Sequence, residues 1–96
     1  MGKVEYAKSV LGNLVKQTRA STMDQSELAL RVGTSKNTIS RLERGNGVNS
    51  DTLFTVLNQL DILDPLLEVI EQQQALVKRN PLRKGTKGAE ELPNDF

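Results

Sequence analysis

The sequence contains neither cysteine nor histidine. Without cysteine the chain has no disulfides and no thiolate metal ligands, and without histidine it lacks the commonest metal ligand and general base. Catalysis would therefore depend on carboxylates, lysines or hydroxyls, and no arrangement of that kind appears along the chain. We expect a protein that is not an enzyme and that uses no metal and no cofactor.

Long hydrophobic runs are also missing. No apolar stretch approaches the roughly 18 residues that a membrane-spanning helix needs, and the N-terminus lacks the hydrophobic core of a signal peptide. The 96 residues suffice for one small domain but not for two independent cores. The sequence thus predicts a cytoplasmic protein without membrane contact.

Neither sign of charge dominates, since the formal net charge is +1. The cations concentrate in two stretches, residues 36–44 and 78–87, and acids follow the second stretch. A near-neutral chain has modest non-specific affinity for DNA, but it is not excluded from binding DNA through a local cluster of cations. The distribution of charge is therefore more informative than its sum.

Residues 24–45, DQSELALRVGTSKNTISRLERG, have the pattern of two short helices joined by a tight turn. Asp24 and Glu27 have the spacing of a capping box, in which each side chain satisfies a free N–H at a helix start. Gly33 suits the left-handed position that ends a helix, and Ser35 is a good N-cap for the next one. The pattern predicts a helix-turn-helix, whose second helix enters the major groove of DNA.

The second of these helices has two faces of opposite character. Ile39 and Leu42 lie on one face, and Glu43 lies next to them. The opposite face carries cations, an amide and a hydroxyl without a carboxylate, and its residues are Lys36, Asn37, Ser40, Arg41 and Arg44. A merely solvated face more often mixes both signs of charge, whereas these side chains pair with base edges and phosphates. The composition favours a DNA-reading surface.

These residues resemble the helix-turn-helix of the phage repressor and Cro family. The matched positions occur without gaps and are Gln25, Leu28, Ala29, Gly33, Thr34, Ser35, Ile39, Glu43 and Gly45. The resemblance extends back through the first helix and forward to about Leu60. It implies an all-α fold, a compact bundle of about five helices with the helix-turn-helix at helices 2 and 3, and it implies DNA binding.

The resemblance and the helical spacing together predict the DNA contacts. The expected base readers are Lys36, Asn37, Ser40 and Arg41. The expected phosphate contacts are Gln25, Ser35, Thr38 and Arg44. The family often pairs the equivalent of Glu43 with an arginine seven residues before the equivalent of Gln25, but Thr18 stands there in this chain. Arg19 stands one position along, and the sequence leaves open whether it reaches Glu43, so the partner of Glu43 stays open.

Three further helices are predicted around the helix-turn-helix. The first covers residues 4–19, with one face formed by Ala7, Leu11, Leu14, Val15 and Thr18. The fourth begins after Ser50 and buries Leu53, Phe54, Val56, Leu57 and Leu60. The fifth begins at Asp64 and Pro65, a good pair for the N-cap and the first helical position.

The fifth helix has a wider apolar surface than one face of a monomer needs. It closes the core of the bundle or seals a dimer, and we expect both roles. The interface candidates are Leu66, Ile70 and Val77. A two-fold dimer reads a pseudo-palindromic operator with half-sites about one helical turn apart. The predicted DNA-binding and dimerising domain covers residues 1–77.

Residues 78–96 form a predicted flexible tail. Proline and glycine recur there and large apolar residues are few, which is typical of disorder. The basic part, residues 78–87, either solubilises the protein or follows phosphates beside the operator. The acidic part, residues 90–96, contains Leu92 and Phe96 and resembles a short motif that docks on a protein partner.

A compact reader followed by a tail is similar in layout to HipB-like antitoxins. In that family the DNA-binding dimer represses its own operon and binds a HipA-like kinase toxin. The predicted function is therefore a sequence-specific, homodimeric transcriptional repressor of its own operon with such a toxin as partner. A phage, plasmid or restriction-modification regulator without a toxin would share residues 1–60. An interaction adaptor that has lost DNA binding is the remaining alternative.

Overall fold

The computed structural model describes residues 2–79, and over that range it contains five helices and no strand. The helices are α1 (Lys3–Ala20), α2 (Gln25–Val32), α3 (Lys36–Glu43), α4 (Ser50–Gln59) and α5 (Leu63–Lys78). The predicted all-α fold with about five helices is confirmed. Within residues 2–79, no helix combines the length and apolar character that crossing a bilayer requires.

The chain divides into two units by its internal contacts. The first unit, Met1–Asp64, contains α1 to α4. The second unit, Pro65–Phe96, is described as far as residue 79 and contains nearly all of α5. The predicted docking residues Leu92 and Phe96, and all of the tail beyond residue 79, lie outside the described residues.

The starts of α2 and α3 follow the predicted capping. The Asp24 carboxylate accepts a hydrogen bond from the Glu27 N–H at 2.8 Å, and the Ser35 hydroxyl accepts one from the Thr38 N–H at 3.1 Å. The reciprocal half of the capping box does not form. The Glu27 carboxylate instead pairs with Arg31 at 2.6 Å, because a cation four residues along an exposed helix offers a charged partner.

Three helices end through the same turn, which has a residue of positive φ followed by an N–H that returns to a carbonyl five residues back. The positive-φ residues are Gly33, Gly45 and Asp61. The returning bonds run from Thr34 to Ala29, from Asn46 to Arg41 and from Ile62 to Leu57. The turn at Gly33 leaves only Thr34 and Ser35 before α3 begins. This fixes the short connection that joins α2 and α3.

The core of the first unit draws on all four of its helices. The fully buried large side chains are Val15, Leu28, Ile39, Val56 and Leu57. Burying a side chain of this size contributes about 1.5–3 kcal/mol relative to leaving it in water. Ile39, on α3, is part of this core. The helix predicted to read DNA is thus held by the packed interior of the unit.

The buried face of α1 differs from the predicted one. Gly12, Val15 and Arg19 are buried, whereas Ala7 and Leu14 are exposed. The prediction counted only apolar side chains and threonine, but the packed face includes a glycine and an arginine. Gly12 admits a neighbouring backbone, and Arg19 has a buried partner. The packed face is therefore rotated away from the apolar stripe of the sequence.

Two boundaries and two burials also differ in α4 and α5, since Leu53, predicted to be buried, is half-buried. The N-cap of α4 is Asn49, whose side chain accepts from the Thr52 N–H at 2.7 Å. Phe54 was predicted to be buried and is 43% exposed, because it lies at the edge of the buried arc of α4. The fifth helix begins at Leu63, before the predicted start at Asp64 and Pro65. Both of those residues are tolerated within a first helical turn.

Candidate nucleic-acid interface

The two faces of α3 lie where the sequence predicts them. Ile39, Leu42 and Glu43 are buried. The opposite surface, which we call the outer face, consists of Lys36, Asn37, Ser40, Arg41 and Arg44. All of these residues are exposed except Ser40, which is half-buried. The outer face therefore presents three cations and an amide to solvent while the inner face packs into the core.

Gly12 allows α1 to approach the end of α3 closely. A Cβ built on Gly12 would lie 2.4 Å from the Leu42 carbonyl oxygen and 2.9 Å from that of Glu43. Real Cβ atoms do not approach backbone atoms so closely, so only glycine fits without a shift. The sequence analysis did not identify this residue. The sequence feature that could have identified Gly12 is a glycine inside a helical pattern, because such a glycine often indicates the close approach of another backbone.

Glu43 has a buried partner, and that partner is Arg19. The Arg19 Nε donates to Glu43 Oε2 at 2.6 Å, and its Nη2 donates to Oε1 at 3.2 Å. The two side chains are 10% and 3% exposed. The sequence left the partner of Glu43 open, and the structure identifies it as Arg19. Arg19 reaches because it lies on the packed face of α1 with Gly12 and Val15, whereas Thr18 lies beside that face.

The ion pair is extended by two hydrogen bonds. Gln25 Nε2 donates to Glu43 Oε1 at 2.9 Å, and Arg19 Nη1 donates to the Met23 carbonyl at 2.8 Å. The network thus joins the end of α1, the start of α2 and the end of α3. Gln25, a predicted phosphate contact, is half-buried and its amide nitrogen is engaged within the protein.

The remaining predicted DNA contacts divide into engaged and free side chains. Arg41 Nη2 donates to the Gly47 carbonyl at 2.8 Å, and Arg44 Nη1 donates to the Ser40 hydroxyl. The hydroxyls of Ser35 and Thr38 lie 2.9 Å apart in a hydrogen bond. Within residues 2–79, the side chains of Lys36 and Asn37 make no hydrogen bond. These two are immediately available to a ligand at the start of α3.

The predicted dimer residues share one face of α5. Leu66, Ile70 and Val77 are separated by four and seven residues, spacings that bring side chains to the same side of a helix. Ile70 and Val77 are 41% and 50% exposed, and Leu66 is half-buried. This apolar strip on α5 is the surface that the sequence analysis assigned to self-association.

The chain matches one protein-family model, described as helix-turn-helix, over residues 15–65 of its 96. The match includes all of α2, α3 and α4 and the end of α1 that holds Arg19. None of the curated proteins and none of the solved structures compared with the chain matches it.

Proposed function

The chain belongs to the helix-turn-helix family of DNA-binding transcriptional regulators, of the phage repressor and Cro type, and we propose that it acts as a homodimeric repressor of its own operon. In this proposal it works in the cytoplasm, where two outer faces read a pseudo-palindromic operator. The observation that carries the proposal is the chemistry of the outer face, which is exposed, cationic and free of carboxylates.

The arrangement of α3 supports base reading by its outer face. Lys36 and Asn37 stand free at the start of the helix, and Arg41 follows on the same side. Lysine and arginine pair with guanine edges and asparagine pairs with adenine edges in the major groove. We assign base contacts to Lys36, Asn37, Ser40 and Arg41. We assign phosphate contacts to Gln25, Ser35, Thr38 and Arg44.

The buried position of Glu43 keeps its negative charge off the surface of α3. A carboxylate on the surface of α3 would repel phosphates. Glu43 is instead turned inward and neutralised by Arg19 at 2.6 Å. Lys36, Arg41 and Arg44 therefore act on the surroundings of α3 without an opposing charge from the same helix.

The sequence specificity can be tested by selecting duplexes from a random library with the purified protein. We expect enrichment of a pseudo-palindromic sequence and protection of a related site upstream of the chain's own gene. A reporter under that upstream region should be repressed by the wild-type protein and less so by Asn37→Ala. Failure to enrich any sequence, or activation of the reporter, would contradict the proposed role as a repressor.

The dimer can be tested through the strip on α5. Leu66→Ala combined with Ile70→Ala should weaken self-association and operator binding together, because dimerisation doubles the sequence that is read. Leu76→Ala is the matched control, since Leu76 is an exposed leucine of α5 outside the strip. Sedimentation of a wild-type monomer at high micromolar concentration, together with full operator affinity, would rule out the dimer.

A HipA-like kinase toxin is the proposed protein partner. The support is the layout of the sequence, with an acidic, phenylalanine-containing segment at residues 90–96. Deleting residues 89–96 should abolish capture of a purified kinase-like toxin encoded beside the gene and leave operator affinity nearly unchanged. Capture that survives the deletion, or a large loss of operator affinity, would contradict this assignment.

A further inference from the structure

Lys8 occupies an unusual position for a lysine of α1. It lies four residues before Gly12 and eleven before Arg19, so it continues the packed face of the helix by one turn. Lys8 is half-buried, whereas Lys3 and Lys16 of the same helix are exposed. Lys8 therefore lies on the face of α1 that packs against α3 and is partly covered there.

The residue beside Lys8 is Gly45, which follows the C-terminal end of α3. A Cβ built on Gly45 would lie 3.2 Å from the Ser9 Cα and 3.6 Å from the Lys8 carbonyl carbon. Gly45 directly follows Arg44, a predicted phosphate contact. The backbone of Lys8, on a helix outside the helix-turn-helix, thus lies beside the residue that directly follows Arg44.

Within the described residues, no side-chain hydrogen bond or ion pair gives Lys8 a role in stabilising the fold. Within residues 2–79 its ammonium group makes no hydrogen bond and no ion pair. Three of the last four carbonyls of α3, those of Ser40, Arg41 and Leu42, already accept from the N–H groups of Arg44, Asn46 and Gly45. The closest carboxylate along the helix, that of Glu5, turns back towards Gly2.

We propose that Lys8 binds a backbone phosphate of DNA and extends the DNA-binding surface from α3 onto α1. A lysine ammonium acts on phosphate as a point charge, and each such contact releases counterions without reading sequence. The inference rests on the proposed docking of the outer face of α3, because only that docking brings phosphates to the end of α3. Glu5, on the neighbouring turn, then opposes binding through like-charge repulsion.

The test compares Lys8→Gln with Lys16→Gln, which removes the same charge from an exposed position of α1. Binding is measured against the selected operator and a mixed-sequence duplex of equal length over a range of salt concentrations. Lys8→Gln should weaken binding to both duplexes and lower the salt slope by about 0.9 per bound protomer. Lys16→Gln should leave the slope unchanged, and Glu5→Gln should tighten binding to both duplexes.

Equal salt slopes for Lys8→Gln and Lys16→Gln would overturn the inference. A lower melting temperature of Lys8→Gln with an unchanged slope would also overturn it, by assigning Lys8 to stability. In either case Asn37→Ala should still alter discrimination between the duplexes, so the proposed function would stand. If the wild-type protein distinguished no duplex and Asn37→Ala changed nothing, the proposed function and this inference would fail together.

Discussion

The inner and outer faces of α3 differ in how firmly they are held. On the inner face Leu42 and Glu43 lie against the backbone of Gly12, and the Glu43 carboxylate receives hydrogen bonds from two other helices. On the outer face Lys36 and Asn37 make no side-chain hydrogen bond within the described residues. One helix therefore combines a tightly packed inner face with an outer face whose first two side chains are unconstrained.

From this contrast we expect the inner face to fix the position of α3 and the outer face to determine which DNA sequence is bound. Removing one partner of a buried ion pair costs about 3–5 kcal/mol, because the other charge stays buried without compensation. Exposed ion pairs typically contribute about 0.2–1 kcal/mol. Substitutions that disturb the contacts of the inner face should thus change the free energy of unfolding. Substitutions on the outer face should change DNA binding alone. The four predictions below test this division.

The largest effect is expected for Arg19→Met. The substitution leaves the Glu43 carboxylate buried with only Gln25 as a donor, so the free energy of unfolding should fall by about 3–5 kcal/mol. Urea denaturation measures the change. The matched control is Arg31→Met, which breaks the exposed pair with Glu27 and should cost less than about 1 kcal/mol. Equal losses in the two variants would contradict the buried network.

A smaller loss of stability is expected for Gly12→Ala. The new Cβ would meet the Leu42 carbonyl oxygen at 2.4 Å, so α1 and α3 must separate. Overpacking of this kind costs about 1–3 kcal/mol. Gly47→Ala is the control, since a Cβ there meets no atom within 4 Å. Thermal denaturation should show a lower midpoint for Gly12→Ala only, and unchanged stability would mean that the contact is readily relaxed.

The sequence predicts the local features of the fold better than the contacts between helices. Asp24, Gly33 and Ser35 were assigned correctly because caps and turns depend on chemistry within a few residues. The outer face of α3 followed from helical spacing and residue type. Phe54 was misplaced because spacing alone does not define the edge of a buried arc.

The missed contacts all depend on long-range packing. Arg19 and Gly12 are not apolar, so a search for an apolar face passed over both of them. The buried charge that pairs with Arg19 is that of Glu43, which lies 24 residues further along the chain. Gly12 is required only because the backbone of α3 passes beside it. Neither partner is evident until the helices are assembled.

On the outer face, Asn37→Ala and Arg41→Ala should each weaken binding to the selected operator by about 1–3 kcal/mol. Each should also relax the preference at one operator position, because a base contact is lost. Neither variant should change the free energy of unfolding measurably. Arg41 also donates to the Gly47 carbonyl, so Arg41→Lys serves as a control that keeps the charge. Unaltered affinity and base preference in both alanine variants would reject the assignment of α3 as the base reader.

The smallest effect is expected for Arg44→Ala, at the C-terminal end of the outer face. Arg44 is exposed, and within the described residues its side chain bonds only to Ser40. A phosphate contact there carries charge but no base information, so affinity should fall similarly for operator and mixed-sequence duplexes. The salt slope should fall by about 0.9 per protomer. Titrations of both duplexes at several salt concentrations measure this change. A loss of affinity for the operator alone would show instead that Arg44 reads bases. The base-reading part of the outer face would then extend beyond Arg41 to Arg44.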